Sequence, residues 1–357
     1  MKPSPDSYFI SPDATLRACF EAIDQTGRGI VLVVDETRKL IGTISDGDLR
    51  RAILAGIALS VPVGTFLEQS YPDGQVPITA SREASSSEIL SLMHEKGIRQ
   101  VPIVDEAGIV VDLIVIDALL PEALAPMGAV VMAGGSGTRL MPLTEQTPKP
   151  MLPVGDRPLL ELIVQQLKAA QIDQVNITTH YKSDQIKEHF GDGQKFGIDI
   201  HYVEEDTPLG TAGGLNLLAK KPEHPMLVLN GDILTQVDFR SMFNFHREHG
   251  ADLTIAVRKY DVEVPFGVVD CEGARVTRLE EKPVYDFFVN AGIYLLEPHV
   301  FDFVPADKCN MTDLVDILIA AGKSVIGFPI IEYWLDIGQH KEYEQAQTDI
   351  NEMEQRS

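Results

Sequence analysis

A glycine cluster followed by two spaced cations is the first feature of this sequence that can do chemistry. In "AVVMAGGSGTRLMPLTEQTPKPM" (129–151), Gly134, Gly135 and Gly137 come directly after a short apolar run, with Arg139 at the turn and Lys149 between Pro148 and Pro150. Glycines there clear side chains away, so that backbone N–H groups can face a phosphate. Two familiar phosphate loops do not fit. A dinucleotide fingerprint needs a glycine where Leu140 stands, and a Walker A loop ends in Gly-Lys-Ser/Thr where this one has Thr138-Arg139. Two cations beside an N–H cradle suit a polyphosphate; a glycine turn with merely exposed bases is the alternative.

Two carboxylates supply a second half. Asp232 ends the apolar stretch "VLNGD", at the carboxyl edge of a strand, where α/β sheets bind ligands. A carboxylate in that place is costly unless it is paired or bound to a metal. "YWLDIG" offers another, Asp336, again after apolar residues and before a glycine. Together with phosphate oxygens and water they match the oxygen shell that Mg²⁺ takes. Taken singly, Asp232 is also a reasonable turn former and Asp336 a reasonable cap for the last helix. In "EEDTPLGTAGGL", Gly210 and Gly213 permit close backbone approach to a flat ring, and Thr211 can cap the helix that follows.

The elements that must position these groups alternate. From "AVVMA" onward, apolar strands ("QVNITTHY", "IDIHYVEE", "MLVLNGD") are separated by helical stretches ("PLLELIVQQLKAAQ", "SDQIKEHFG", and one starting at "TAGGLNLLAKK"). That succession implies a largely parallel sheet with helices on both faces. The later strands ("ADLTIAVRK", "FGVVDC", "RVTRLEEK", "FFVNAGIYLL") have few helices between them and should extend the sheet in antiparallel fashion, before a polar C-terminal helix. Ahead of all this lie two similar units, "GIVLVVDETRKLIGTISDGDLRRAI" and "GIRQVPIVDEAGIVVDLIVIDAL", each strand–turn–strand–helix, each preceded by a helical stretch ending in glycine. Neither unit can cover its own sheet, so the two should pack together. "LLPEALAPMG" reads as the linker. Two domains result, 1–122 and 127–357.

The N-terminal repeat resembles a tandem pair of cystathionine-beta-synthase-type (CBS) domains. The family's ligand loop appears in "GTISDGD" as Gly42, Ser45 and Asp48, whereas the second copy has Val111 and Ile114 at the glycine and hydroxyl positions and keeps only Asp117. The resemblance implies an adenine nucleotide held by Ser45 and Asp48; a dimerisation module in which the two cap a helix is the other reading. The remaining chain resembles the nucleotidyltransferases that activate sugar 1-phosphates, whose loop reads Gly-Gly-x-Gly-Thr-Arg-Leu…Pro-Lys-Pro. This implies a Rossmann-like α/β fold with a mixed, mostly parallel sheet, behind an α+β CBS pair. It also implies site roles. Ala133, Gly134, Gly135, Gly137 and Thr138 would bind the triphosphate; Gly210, Thr211, Ala212 and Gly213 would line the base pocket; Asp232 and Asp336 would hold Mg²⁺. In "EEKPV" and "VNAGIY", Glu281 would bind a sugar hydroxyl and Lys282 the sugar phosphate, with Asn290 and Gly292 beside the ring. Gly267 matches the family, but Phe266 stands where it often has tyrosine.

By the same resemblance the sugar-phosphate oxygen attacks the α-phosphorus of a nucleoside triphosphate, Arg139, Lys149 and Lys282 neutralise phosphate charge, and pyrophosphate leaves. The Gly-Thr-Ala-Gly loop is similar to guanylyltransferases for mannose- and heptose-1-phosphate. A CBS pair ahead of such a domain resembles the enzymes of bacterial legionaminic-acid synthesis that use glucosamine 1-phosphate. The expected substrates are therefore GTP and an aminosugar or mannose-like 1-phosphate. Uridylyl, thymidylyl or cytidylyl transfer, or a non-catalytic nucleotide sensor, are the alternatives.

Bulk properties are consistent with this and exclude other classes. The formal net charge of −23, spread as −8 over residues 1–124 and −15 over 125–357, repels nucleic acid and anionic lipid. Three scattered cysteines (Cys19, Cys271, Cys309) and the lack of an apolar leader suggest free thiols in a cytoplasmic protein. A homodimer or larger homo-oligomer is expected from the CBS pair.

Overall fold

The same turn chemistry recurs in both halves of the N-terminal repeat. Asp35 Oδ1 accepts from the N–H groups of Thr37 and Lys39, and Asp105 Oδ1 accepts from those of Ala107 and Ile109. Each aspartate closes an apolar strand and reverses it into the next. The computed structural model describes residues 5–72, 74, 76–119, 126–135 and 137–356, which fall into two units, Met1–Ala125 and Pro126–Ser357. The linker expected at 119–128 lies mostly outside the described residues, as does the side chain of Asp117.

In the first unit, strands Phe9–Ile10, Ile30–Val34 and Leu40–Ser45 form one sheet, and Ala80–Ser81, Gln100–Val104 and Val110–Val115 form the other. Both carry the same parallel-then-antiparallel pairing and the same irregularity one residue before the turn. The first strand of each sheet is two residues long, too short for a period-two pattern to reveal it. Helices Leu16–Thr26 and Ser86–Lys96 end at Gly27 and Gly97, as their sequences suggested. The halves do pack together: Leu40 N–H donates to Gly108 O (3.1 Å), Val110 N–H donates to Arg38 O (3.1 Å), and Ile30, Leu32 and Val34 share a cluster with Val110 and Leu113.

Ser45 and Asp48 form a capping box at the start of helix Asp46–Leu54. Ser45 Oγ accepts from Asp48 N–H (3.2 Å), while Asp48 Oδ2 accepts from the N–H (2.8 Å) and the hydroxyl (2.7 Å) of Ser45. The remaining oxygen, Oδ1, pairs with Arg51 (2.8 Å). Both residues therefore have a structural duty that needs no ligand.

In the second unit a seven-stranded sheet runs in the order Asp199–Glu204, Gln174–Thr179, Gly128–Met132, Met226–Asn230, Val284–Leu296, Leu253–Glu263, Val325–Ile330. The first four strands are parallel. Val284–Leu296 is antiparallel to both neighbours, and Val325–Ile330 returns parallel at the edge, which the sequence reading did not anticipate. Nor do all the later strands join the sheet: Val268–Glu272 and Arg275–Glu280 form a separate ribbon. Helix Met311–Ala320 covers the face bearing Val130, Val228 and Leu253. The opposite face packs on helix Phe239–Glu248, through Phe245 against Phe328 and His246 Nδ1 against Thr254 Oγ1 (2.7 Å). Among the described residues no helix is long and apolar enough to cross a membrane.

The cap generates a stability prediction. Asp48→Ala removes the carboxylate half of the box, and with it the pairing to Arg51, and should cost the N-terminal unit about 1 kcal/mol. Thermal or denaturant unfolding of the full chain should show this as an earlier transition of that unit; an unchanged transition would mean that the box carries no stability.

Candidate active site

The glycine loop leaves strand Gly128–Met132 and enters a single 3₁₀ turn, Thr138–Leu140, instead of the long helix that usually follows a phosphate loop. Pro142, Pro148, Pro150 and Pro153 explain this, since each lacks the N–H that a helix interior requires. Lys149 begins a second 3₁₀ turn, Lys149–Met151, and the first long helix is Leu159–Ala169. At Gly137 the backbone has φ +65°, and a Cβ there would lie 2.8 Å from Thr144 Cγ2 and 3.0 Å from Lys149 Cβ. Only glycine fits, because the returning chain packs on the loop. Buried Thr144 ties the return by donating its hydroxyl to Gly137 O (2.9 Å). Sequence reasoning passed over Thr144; its position seven residues after Gly137 carries no motif.

The loop's amides are open. Ala133 N–H donates to Thr178 O and Leu140 N–H to Gly137 O, but among the described residues nothing accepts from the N–H groups of Gly134, Gly135, Gly137, Thr138 or Arg139. Arg139 likewise has no hydrogen-bond partner among the described residues. A row of unpaired amides beside a free guanidinium is an anion site.

Beneath it lies a partly buried ion pair. Lys149 Nζ donates to Asp232 Oδ2 at 2.5 Å, with side chains 9% and 26% exposed. The other oxygen of Asp232, Oδ1, is buried and without a partner. Asp336 is brought alongside by a short ladder, Ile233–Thr235 against Trp334–Asp336, in which Ile233 faces Asp336 and Ile337 N–H donates to Asp232 O (3.0 Å). A Cβ on Gly338 would meet Asp336 Oδ1 at 3.8 Å and Arg139 Nη1 at 3.9 Å, so Arg139 reaches the same corner. The pKa of the Asp336 carboxyl is raised from its ordinary value, first by desolvation and then by the charge of Asp232, with Lys149 and Arg139 opposing. These contacts dispose of the simpler readings. Asp336 does not cap the last helix, which begins at His340, and Asp232 accepts no turn N–H with its side chain. Two adjacent carboxylates, one with an orphaned oxygen, fit a hard divalent cation completed by phosphate and water. Among the described residues no group of three or more metal-ligating side chains competes with them.

The base loop is built differently from expectation. "GTAGG" makes a four-residue helix, Gly210–Gly213, followed by a 3₁₀ turn, and Thr211 does not cap it. Its hydroxyl instead accepts from Met311 N–H (2.8 Å), capping the start of a helix 100 residues further on. Cys309 O accepts from both Ala212 N–H and Gly213 N–H, and Gly210, at φ +81°, would place a Cβ 2.5 Å from that carbonyl. The glycines thus permit close packing against residues 307–310, which is a structural reason for both. Glu205, also unforeseen, holds the loop's entry by accepting from Leu209 N–H.

Asn290 and Gly292 lie on the strand that passes Asn230 and Trp334, each of which stands two residues before a carboxylate. Gly292, at φ +70°, packs on Asn230, two residues before Asp232, and Trp334 Nε1–H donates to Ala291 O (2.8 Å). Asn290 accepts from Gly292 N–H and donates to Tyr294. Gly267, Glu281 and Lys282 sit further out, exposed between the separate ribbon and the end of strand Leu253–Glu263; Lys282 adopts φ +47° and donates its N–H to Phe266 O (3.3 Å). No hydrogen bond joins them to the carboxylate pair among the described residues.

Comparison with known proteins sets this geometry in context. Residues 128–353 match the nucleotidyl transferase family model, and residues 2–55 and 75–122 match the CBS domain model. The chain is 36% identical over 230 residues to a mannose-1-phosphate guanylyltransferase of Mycobacterium tuberculosis (62% of this chain, 64% of that one). It is 34% identical over 226 residues to mannose-1-phosphate guanylyltransferase 1 of Arabidopsis thaliana (61% and 63%). The chain thus spans less than two thirds of the length of these curated relatives. Among solved structures, HddC from Yersinia pseudotuberculosis, complexed with GMP-PN, is similar at TM-score 0.50 and 25% identity, covering 62% of this chain and 99% of that one. A Bacillus anthracis protein described as a glucose-1-phosphate thymidylyltransferase, with sucrose bound, is similar at TM-score 0.52 and 27% identity (62% and 94%).

The raised pKa of Asp336 has a measurable consequence. A carboxyl that is harder to ionise when folded than when unfolded adds stability in its protonated form, present below the ordinary carboxylate range and lost as pH rises through the folded pKa. In chelator at neutral pH, Asp336→Asn should therefore melt higher than the wild type, and the difference should vanish at acidic pH. Thermal unfolding across pH measures it; a variant that melts lower at neutral pH would reverse the sign of the argument.

Proposed function

Because the chain belongs to the nucleotidyl transferase family, we propose that its second unit transfers a nucleotidyl group from GTP to a mannose-like or glucosamine 1-phosphate, releasing pyrophosphate. The observation that carries the reading is the convergence of the open amides, Arg139, the Lys149–Asp232 pair and Asp336 on one corner of the sheet. The guanylyltransferase names of the relatives, and the GMP-PN bound by HddC, support guanine as the base.

The residues divide the work of a phosphoryl-type transfer, in which positioning and charge neutralisation dominate. The amides of Gly134, Gly135 and Thr138 receive the outer phosphates of the triphosphate. Arg139 neutralises the charge that accumulates on pyrophosphate as the bond between the α-phosphorus and its bridging oxygen breaks. Lys149, locked in place by Asp232, presents its ammonium to the α-phosphate. Glu281 and Lys282 hold the sugar and its phosphate, whose oxygen forms the new bond to the α-phosphorus. No general base is needed, because that phosphate is already ionised at neutral pH. Asp232 and Asp336 would hold Mg²⁺, which would supply further neutralisation of phosphate charge. The flat base would lie against Gly210–Gly213, with Asn290 and Gly292 beside the sugar. A cytoplasmic setting agrees with three unpaired cysteine thiols.

Pyrophosphate release from a panel of triphosphates and sugar 1-phosphates tests the reading. Turnover is expected with GTP and one of the two sugar phosphates; release with another base would move the specificity, and none with any pair would make the unit a binder only. Arg139→Ala should lower the rate by about 10²–10³, roughly 3–4 kcal/mol of transition-state stabilisation, with the fold intact by circular dichroism. Asp232→Asn should abolish turnover. Near-wild-type rates in either variant would remove these residues from the mechanism.

A further inference from the structure

The return of the glycine loop, residues 141–146, consists of turns. Its own backbone closes only short rings: Leu143 N–H donates to Leu140 O (2.9 Å) and Glu145 N–H to Pro142 O (3.0 Å). Side chains from elsewhere hold the outward carbonyls. His340, at the start of the last helix, donates from Nε2 to Met141 O (2.9 Å). On the other side, one turn of chain bonds to three consecutive carbonyls. The Tyr181 hydroxyl donates to Thr144 O (3.4 Å), the Lys182 ammonium to Glu145 O, and Gln185 Nε2 to Gln146 O (2.8 Å).

The middle member of that row is strained. Lys182 has φ +51°, in the left-handed region that lysine seldom adopts, and it stands at the N-cap of helix Ser183–Phe190 without capping it. Nothing in the helix itself rewards that conformation. The turn instead brings the ammonium onto the loop, 5.2 Å from the centre of the Tyr181 ring and bonded to Glu145 O. A backbone outlier kept in place by its surroundings is a pointer to function. One residue earlier the same turn backs the loop's beginning, since a Cβ on Gly134 would lie 3.5 Å from His180 Cβ. Both the departure and the return of the glycine loop therefore rest on residues 180–185.

We infer that Lys182 is a positioning residue for the triphosphate: by pinning Glu145 O it fixes the return of the loop, and with it the placing of Arg139 before that return and Lys149 after it. The inference rests on the proposed transfer reaction for the identity of the ligand. Its physical basis is preorganisation. A loop already held before the nucleotide arrives need not be ordered by it, so the entropic cost of ordering is taken out of binding. Lysine suits the task because a long stem carries a strong donor to a carbonyl across the gap, and a charged donor makes a stronger bond than a neutral one. Tyr181 and Gln185 flank the contact and limit the loop's rotation about it.

Two variants of the full chain separate positioning from a merely structural part. Lys182→Met keeps the stem and removes the donor; Lys182→Gly removes the donor and also relaxes the left-handed turn. Without nucleotide, hydrogen–deuterium exchange of the amides in 141–147 should be about tenfold faster in both variants, with the central strands unchanged. In calorimetric titration with a non-hydrolysable GTP analogue and Mg²⁺, the Kd should rise at least about tenfold in both, the equivalent of 1.4 kcal/mol. Lys182→Gly should melt higher than Lys182→Met and yet bind no better, whereas a structural role would make the more stable variant the better binder. Lys182→Arg, which restores a charged donor, should recover most of the affinity. Exchange or affinity left at the wild-type level in Lys182→Met would overturn the positioning role alone. A wild-type chain that binds no triphosphate would overturn the proposed function together with it.

Discussion

The partly buried pair of Lys149 and Asp232 is the interaction on which the rest of the site depends. Lys149 is buried and Asp232 about a quarter exposed, so loss of the carboxylate would strand a buried ammonium. The pair therefore fixes two distant pieces of chain at once. Lys149 arrives from the proline-stiffened return of the glycine loop, and its own Cβ packs where a side chain on Gly137 would have to go. Asp232 arrives from the end of a central parallel strand. Joined, they hold the open amides above the sheet edge and leave one oxygen of Asp232 buried with no partner.

That arrangement explains the division of the sheet. Its parallel half delivers the loop after Gly128–Met132 and the carboxylate after Met226–Asn230 to the same edge, where parallel sheets ordinarily bind ligands. The antiparallel half brings Ala291 and Gly292 back past them, and Trp334 bonds to Ala291 to carry Asp336 into place. The small ladder between Ile233–Thr235 and Trp334–Asp336 is thus what turns two carboxylates distant in sequence into neighbours.

Much of this was legible in the sequence, for identifiable reasons. Gly134–Arg139 and Asp232 stand after apolar strands and Lys149 between two prolines, where such residues are conspicuous. The Val-Asp turns of the repeat announced themselves by recurring. What the sequence hid was tertiary. Thr211 is a plausible cap for its own helix, and nothing local says that it caps the helix at Met311 instead. The helix expected after it shrinks to one turn because two glycines in four residues favour close packing on Cys309 over helix continuity. The separate ribbon Val268–Glu280 carries the same period-two signal as strands that join the sheet, and only pairing partners distinguish them. Ser45 and Asp48 belong to a family ligand motif and also form a capping box, so their spacing alone does not separate the two roles.

In the proposed mechanism the triphosphate lies on the open amides of the glycine loop, above the Lys149–Asp232 pair. A crystal structure of the chain with a non-hydrolysable GTP analogue and Mg²⁺ addresses this most directly. The outer phosphates are expected within hydrogen-bonding distance of the amides of Gly134, Gly135 and Thr138, with Arg139 turned onto them. A triphosphate seated elsewhere, with those amides still facing solvent, would contradict it.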